Sequence, residues 1–358
     1  MQTLGVGIIG LHHLHSVDYI PHFQAITHTE VRGIAEGDND YRNRVCQQTG
    51  LVGYADLDAL LAQKDIHLVV IFLPHADCPE AVEKAAAAGK HVLVEKPMAA
   101  TSEGIRRMIL ATQQAGVMLS PPYCWRYHPA SQQIKRLIDE GVIGEIITLE
   151  GRCAAGFPGR YLDNGISPWL LEKAAAGGGP MHNLGVHWID LFRWFLQDEV
   201  ISASGMISHA QHHLNVEDNS LAIIRFKGGA IASLDISYSV PPQYPAGRDL
   251  FIGIRGTRGS ISWSPAWGGN SDEVFLVSNH PNYADAPVRT LQIGSRAVPG
   301  YGGISGLAYL RETVGAIIQN QTPGITGQDG LRAMEVVEAI YESAHTGRTI
   351  EVKHLDPA

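Results

Sequence analysis

The stretch "IHLVVIFLPHADCPEAVEKAAAAGKHVLVEKP", residues 66–97, predicts a strand, a helix and a second strand in immediate succession. The strands, at 66–74 and 90–97, are apolar on both faces, and the Ala-rich helix between them ends at Gly89. Strands that are buried on both faces and joined by a helix usually pair in parallel. The stretch therefore predicts one βαβ unit of a parallel sheet.

The same alternation extends over the first third of the chain, with further strands at 4–10 and 29–38 and a helix at 101–116. It predicts an α/β fold, a Rossmann-type doubly wound parallel sheet that forms a first domain over residues 1–122. Pro121-Pro122 is the predicted hinge. Ligands of such sheets bind at the carboxyl ends of the strands.

The remainder, residues 123–358, has a different pattern, in which runs of alternating apolar and polar residues outnumber helices. It predicts a C-terminal α+β domain with a large open, mostly antiparallel sheet. Strands are expected at 145–153, 201–209, 220–226, 230–240, 250–262 and 273–278, and helices at about 182–197, 305–320 and 329–346.

Composition excludes several classes of function. The chain of 358 residues carries a formal net charge of -9, so we expect no nucleic-acid partner. No run of 18 apolar residues predicts a membrane span. The four cysteines contain no C-x-x-C pair and are typical of free thiols in a reducing compartment, so we expect a soluble, cytoplasmic protein.

The first strand leads into "GLHHLHSVDY", residues 10–19, where a dinucleotide-binding turn would begin. Gly10 is suited to the tight turn, but His12 and His15 stand where the fingerprint has its second and third glycines. Glu36 follows Gly10 by 26 residues, at the end of the second strand, where a carboxylate holds a ribose diol. These residues predict a dinucleotide cofactor, and NAD rather than NADP, because a 2′-phosphate would meet the Glu36 carboxylate.

Two further segments carry candidate catalytic groups. In "VLVEKPMA", residues 92–99, Lys96 projects an ammonium at the carboxyl edge of the sheet, where burial would fit it for proton transfer. In "GGGPMHNLGVHWIDLFRWFL", residues 177–196, Asn183 and His187 share a helix face that Asp190 continues. The three glycines before that helix are expected to bring bare backbone close to the nicotinamide.

Histidines also offer a metal-site interpretation. His12, His13 and His15, and the segment "HAQHH" at 209–213, provide ligand types suitable for zinc. Neither group has a recognised catalytic spacing such as H-E-x-x-H. We therefore expect no metal.

Together with "YCWRYHP" (123–129), "GVIGEI" (141–146) and "GQDGLRAMEVVEAIYESAHTGRTIEV" (327–352), these segments resemble the Gfo/Idh/MocA family of NAD(P)-dependent oxidoreductases. The resemblance implies hydride transfer between a nicotinamide and a carbinol or ketone of a sugar, polyol or related derivative. It also implies a homo-oligomer, a dimer or tetramer, assembled through the C-terminal sheet.

The resemblance implies Lys96 and His187 as catalytic residues. With the turn, it suggests the following cofactor contacts: Gly10, Leu11, His12, His13, Glu36, Leu73, Pro74, His75, Glu95, Lys96 and Pro97. The candidate substrate contacts are Arg126, Asn183, Tyr161, Trp169 and Lys173.

One departure from the family pattern leaves alternatives open. Asn183 stands where the family has an aspartate, and an amide cannot stabilise an imidazolium by charge. The division of proton transfer between Lys96 and His187 is therefore open. Two alternatives are elimination or glycoside cleavage by transient oxidation, and a non-catalytic sensor of a sugar or dinucleotide.

Overall fold

The computed structural model describes residues 3–163, 165–241, 243–266 and 271–356. Its first sheet has six parallel strands in the order β3-β2-β1-β4-β5-β6, which confirms the predicted doubly wound architecture. The strands are β1 (Leu4–Ile9), β2 (Thr29–Ala35), β3 (Val52–Tyr54), β4 (Leu68–Ile71), β5 (His91–Val94) and β6 (Leu119–Ser120). The helices between them are α1 (Ile20–Gln24), α2 (Asn39–Thr49), α3 (Leu57–Leu61), α4 (Cys78–Ala87) and α5 (Ser102–Ala115).

The strand order reverses between β1 and β4, which places a crevice at their carboxyl ends. The two strands are buried along their whole length, as their apolar sequences require. Gly10, Glu36, Leu73 and Glu95 each follow directly or within two residues of a strand of this sheet. The topology therefore gathers the predicted cofactor residues at one edge.

The second sheet has nine strands in the order β14-β13-β12-β11-β7-β10-β9-β8-β15. Its strands are β7 (Ile146–Ala155), β8 (Val200–Ser208), β9 (Asn219–Phe226), β10 (Ile231–Ser237), β11 (Arg248–Gly256), β12 (Gly259–Trp263), β13 (Ser271–Ser278), β14 (Val288–Gly294) and β15 (Ile350–Glu351). Among the described strand pairs of this second sheet only β7–β10 is parallel, so the prediction of a mostly antiparallel sheet is confirmed. The helices are α6 (Pro129–Asp139), α7 (Gly159–Leu162), α8 (Lys173–Ala176), α9 (Val186–Leu196), α10 (Gly303–Gln319) and α11 (Gly327–Thr346).

Details of the predicted elements need correction. The single strand expected at 250–262 is two strands, β11 and β12, paired across a turn at 257–258. The helix expected from 182 begins instead with a π-helical turn, Met181–Gly185, and becomes α-helical at Val186. β14 was missed because its side chains alternate only between exposed and half-buried, which leaves a weak apolar signal. The predicted domain boundary after residue 122 stays a prediction.

Helix α9 packs on the second sheet through a close approach at Gly151 of β7. A Cβ at Gly151 would lie 2.1 Å from Cδ1 of Trp188. Trp188 is fully buried, and its Nε1–H donates to the carbonyl of Phe251 over 3.3 Å. This packing fixes the orientation of the helix that carries His187. Of the helices in the described ranges, none has the length and apolar character needed to cross a membrane.

Helix α11 returns to the first sheet's layer and contacts α5. The Glu338 carboxylate accepts hydrogen bonds from the backbone N–H (2.7 Å) and the hydroxyl (2.6 Å) of Ser102, the first residue of α5. The first N–H groups of a helix have no partner within the helix, and a carboxylate there is favoured by the helix dipole. Glu338 therefore links the last long helix to the Rossmann layer.

We predict that Glu338→Ala lowers the free energy of unfolding by about 2 kcal/mol, because two hydrogen bonds to a charged group are lost. Urea unfolding followed by circular dichroism measures the change. Glu342→Ala, one turn later on the exposed face of α11, is the matched control and should change stability by less than about 0.5 kcal/mol. Equal effects of the two substitutions would contradict the assigned link.

Candidate active site

The turn after β1 is built around Gly10, which has a φ of 83°. A Cβ there would lie 3.0 Å from the carbonyl oxygen of Phe72, so the position requires glycine. His12 is not among the described residues with positive φ, so the turn tolerates a side chain where the fingerprint has its second glycine. Only the first glycine of the fingerprint is needed for this backbone.

Glu36 braces this turn from the end of β2. Its carboxylate accepts the backbone N–H of Leu11 over 2.7 Å and that of Asp38 over 2.9 Å. The Gly10 N–H donates to the carbonyl of Ala35 over 2.9 Å. A carboxylate accepts about four hydrogen bonds, so Glu36 retains acceptor capacity for a ribose diol.

The side chains of the three histidines in this turn point in two different directions. His12 lies on the outer side, with Nε2 3.9 Å from Glu36 and 3.8 Å from Asp38. His13 and His15 face inward, and the His15 ring stacks on Tyr301 with centroids 3.8 Å apart. His12, His13 and His15 therefore do not form a single metal site.

His13, His15 and Glu95 bring one potential ligand atom each within 4.8 Å of one another. Nδ1 of His13 accepts the His15 backbone N–H over 3.1 Å, and Glu95 accepts the Tyr19 hydroxyl over 2.9 Å. Burial lowers the pKa of His15 well below its usual value, and the charge of Lys96 adds to this effect. His13 and His15 line one cavity with Lys96, and we refer to this space as the cavity below. Because a metal cation bound by these histidines would lie close to the Lys96 ammonium, the expectation of no metal stays our prediction.

The loop after β4 supplies Leu73, Pro74 and His75. Leu73 packs beside Gly10, and Nδ1 of His75 donates to the carbonyl of Ala176 over 2.7 Å if it carries the proton. Nε2 of His75 is buried without a hydrogen-bond partner among the described residues. A buried polar atom of this kind needs a partner, and a bound cofactor fits that requirement.

Lys96 lies at the centre of the arrangement. It is 4% exposed, and its Nζ donates to Oδ1 of Asn183 over 2.9 Å and to the Asn183 carbonyl over 3.1 Å. Burial lowers the pKa of Lys96, while the neighbouring Glu95 carboxylate acts in the opposite direction. Both atoms that hold the ammonium are uncharged, so this lysine is suited to exchange a proton.

Both ends of the Asn183 side-chain amide form hydrogen bonds within the protein. Its Nδ2 donates to the hydroxyls of Tyr161 (3.2 Å) and Tyr238 (3.0 Å), while its Oδ1 receives Lys96. His187 lies one helical turn further along the chain and lines the same cavity. Burial lowers the pKa of His187 well below its usual value, and its Nδ1 has no partner among the described groups.

The three glycines are expected to approach a ligand, and this stays a prediction, because the structure shows only their contacts within the protein. A Cβ at Gly177 would lie 2.7 Å from the Ala100 carbonyl, and one at Gly178 would lie 2.2 Å from the Tyr341 hydroxyl. The Gly179 N–H donates to the Glu217 carboxylate over 2.9 Å. The glycines are needed because other parts of the chain approach them closely.

Arg126 was expected to contact substrate, and the structure places it elsewhere. Its guanidinium donates to both carboxylate oxygens of Asp190, over 2.9 and 2.5 Å, and to Asp329 over 2.7 Å. It is 7% exposed and is not among the residues that line the cavity. Asp190 makes this pair and does not line the cavity either, so both residues belong to a buried ion cluster.

The other predicted substrate residues take different places. Tyr161 lines the cavity. Trp169 lies over the turn instead, where its Nε1–H donates to the His12 carbonyl over 2.6 Å and its ring packs edge-on against His75. Lys173 is exposed at the start of α8 and is not brought to the cavity.

Sequence reasoning missed several residues of the cavity wall. Arg160, Arg248 and Tyr301 line it together with His13, His15, Lys96 and His187. They come from α7, from the start of β11 and from the loop before α10. No local pattern marks them, because only the pairing of β11 with β7 brings Arg248 beside Ala155 at the cavity.

Two family models match the chain. Residues 4–123 match an oxidoreductase family with an NAD-binding Rossmann fold, and residues 131–262 match the GFO/IDH/MocA C-terminal domain. Together they cover well over half of the chain.

Individual relatives and solved structures resemble the whole chain. The chain is 28% identical to the levoglucosan dehydrogenase of Pseudarthrobacter phenanthrenivorans, over 99% of this chain and 100% of the relative. It is 27% identical to the 1,5-anhydro-D-fructose reductase of Ensifer adhaerens, over 83% of each. A solved levoglucosan dehydrogenase in complex with NADH superposes with a TM-score of 0.85 and 22% identity, covering 99% of this chain and 100% of that chain.

We predict that Arg126→Gln lowers the free energy of unfolding by about 3–5 kcal/mol, because Asp190 is left buried without its ion-pair partner. Arg107→Gln is the control, since Arg107 makes a similar two-bond pair with Glu83 at the surface. That substitution should cost less than about 1 kcal/mol. Guanidinium unfolding of both variants measures the difference, and a harmless Arg126→Gln would show that the cluster is not structural.

Proposed function

The chain belongs to the Gfo/Idh/MocA family of NAD(P)-dependent oxidoreductases, and we propose that it moves a hydride between NAD and a carbinol or ketone of a sugar or polyol. The observation that carries the proposal is the buried Lys96 ammonium, held by Asn183 beside His187 at the carboxyl edge of a dinucleotide-binding sheet. The names of the relatives, a dehydrogenase and a reductase of sugar derivatives, support the same substrate class.

The residues at the sheet edge fit the cofactor. Gly10 supplies the left-handed turn, Glu36 offers free acceptor capacity at the end of β2, and His75 holds a buried Nε2 that needs a partner. Glu36 supports NAD over NADP, because its carboxylate would repel a 2′-phosphate. When bound, the nicotinamide supplies the hydride acceptor for oxidation and the donor for reduction.

Lys96 and His187 have different roles at the substrate oxygen: Lys96 transfers the proton and His187 orients the hydroxyl. In oxidation, the neutral Lys96 amine accepts the proton of the reacting hydroxyl, and the resulting ammonium is held by the two oxygens of Asn183. In reduction, the same ammonium returns the proton. The neutral His187 imidazole orients the hydroxyl by a hydrogen bond, since burial keeps the ring uncharged.

We also propose that a second copy of the chain covers the outer face of the nine-stranded sheet. Met206 of β8 and Leu221 of β9 are directly opposite each other and are 78% and 58% exposed. Ile223, two residues further on β9, extends the patch on the same face. Exposed apolar side chains that cluster in this way mark interaction surfaces, and the family resemblance supports a homo-oligomer.

We predict that Lys96→Met lowers kcat by about 10²–10⁴-fold, the usual contribution of a positioned acid or base, while NAD binding is retained. NADH absorbance with a panel of sugars and polyols measures turnover, and calorimetry measures NAD binding. Lys84→Met, at an exposed lysine of α4, is the control and should leave both unchanged. Full turnover by Lys96→Met would refute the proposed role, and consumption of substrate without net NADH would favour transient oxidation.

We further predict that Asn183→Asp moves the rising limb of the pH profile of kcat/KM for oxidation upward by at least about one pH unit. A carboxylate beside Lys96 stabilises the ammonium and raises its pKa, so the neutral amine forms only at higher pH. Asn282→Asp, in an exposed loop, introduces the same charge outside the cavity and should leave the profile in place. An unmoved profile in Asn183→Asp would assign the titrating group to a residue other than Lys96.

A further inference from the structure

The charges that line the reaction cavity all have one sign. Its ionisable lining residues include Lys96, Arg160 and Arg248, and no aspartate or glutamate is among the described residues of the wall. Two carboxylates lie outside the wall. Glu95 has Oε1 3.3 Å from Nδ1 of His15 and accepts the Tyr19 hydroxyl. Asp18 is close enough to Arg160 that, although burial raises the pKa of Asp18, the guanidinium acts in the opposite direction. Three cations on the wall against two carboxylates outside it leave a positive balance at the cavity, inside a chain whose net charge is -9.

The two arginines are close enough to influence each other and the histidines. Burial, followed by the charge of Arg160, lowers the pKa of Arg248 to about 10, so its guanidinium remains charged at neutral pH. The same two guanidiniums contribute, after burial and Lys96, to the low pKa of His15. Like charges that share a partly buried cavity repel one another, and an anion between them removes that repulsion.

A neutral sugar would not compensate this field, whereas an anionic group would. Guanidinium groups bind carboxylate and phosphate with paired, charge-assisted hydrogen bonds. The arginines come from α7 and β11 of the second sheet's region, whereas Lys96 comes from the end of β5. A substrate with an anionic group and a carbinol therefore has a separate anchor for each.

We propose that the substrate is a sugar or polyol that carries an anionic group, which Arg160 and Arg248 bind while the reacting carbinol lies at Lys96. The proposal rests on the hydride-transfer function proposed above and narrows its substrate class. Carboxylate and phosphate share the chemistry that these arginines recognise, and the test below distinguishes them.

Binding to the NAD-loaded wild-type chain tests the proposal without requiring turnover. Three matched pairs differ only in the anionic group: D-gluconate with D-glucitol, D-glucuronate with D-glucose, and D-glucose 6-phosphate with D-glucose. Calorimetry should show at least about tenfold tighter binding for the anionic member of one or more pairs, and this advantage should shrink with added salt. The first two pairs report a carboxylate and the third reports a phosphate.

Substitutions then locate the anion. Arg248→Gln and Arg160→Gln should each abolish most of the anionic preference, whereas Arg152→Gln should retain it. Arg152 is a suitable control because it lies on β7 but pairs with Asp249 outside the cavity lining. The salt dependence of the wild-type chain keeps the test informative if an arginine variant does not fold.

Several results would overturn the proposal. These are equal or weaker binding of every anionic member, no binding of any anion, or a preference that both arginine variants retain. Hydride transfer is read separately from NADH absorbance with the same compounds. Turnover of neutral sugars at rates that Arg248→Gln leaves unchanged would remove the anionic subsite and leave the oxidoreductase function in place.

Discussion

The bond between Lys96 and Asn183 is the constraint around which the molecule is arranged. Lys96 lies at the end of a strand of the first sheet, and Asn183 lies in the π-helical turn that precedes α9 on the second. Burying an ammonium is unfavourable unless its hydrogen bonds are satisfied, so both elements must be placed accurately. The π-helical turn places Asn183 so that its carbonyl and its side-chain amide both reach the same nitrogen.

Further contacts hold the second layer against the edge of the first. Trp169 donates to the His12 carbonyl, and His75 bonds to the Ala176 carbonyl. Within the second layer, Glu217 receives the N–H groups of Gly179 and Met181. The cofactor turn, the loop after β4 and the segment before α9 are therefore mutually supported. The three glycines are needed at this junction, since a side chain on any of them would collide with the Ala100 carbonyl, with Tyr341 or with Glu217.

The local sequence pattern was sufficient to predict a site residue wherever the end of a strand determines where that residue lies. The apolar strands before Gly10, Glu36 and Lys96 predict one sheet edge, because parallel strands carry their carboxyl ends to the same side. Pattern failed where a partner distant in sequence decides the outcome. The sequence around Arg126 suggests a ligand-binding arginine, but in the structure its guanidinium pairs with Asp190 and Asp329. Arg248 reaches the cavity only through the register of β11 on β7.

Asn183 and the arginines have a common electrostatic explanation. An aspartate at this position would place a permanent negative charge beside Lys96 and hold it as an ammonium. A substrate anion bound by Arg160 and Arg248 would add a second negative charge to the same cavity, and the two together would oppose release of the Lys96 proton. With the neutral Asn183, the charge that arrives with the substrate adds only to that of the neighbouring Glu95 carboxylate. The amide thus keeps Lys96 able to exchange its proton in a cavity whose anion is supplied from outside.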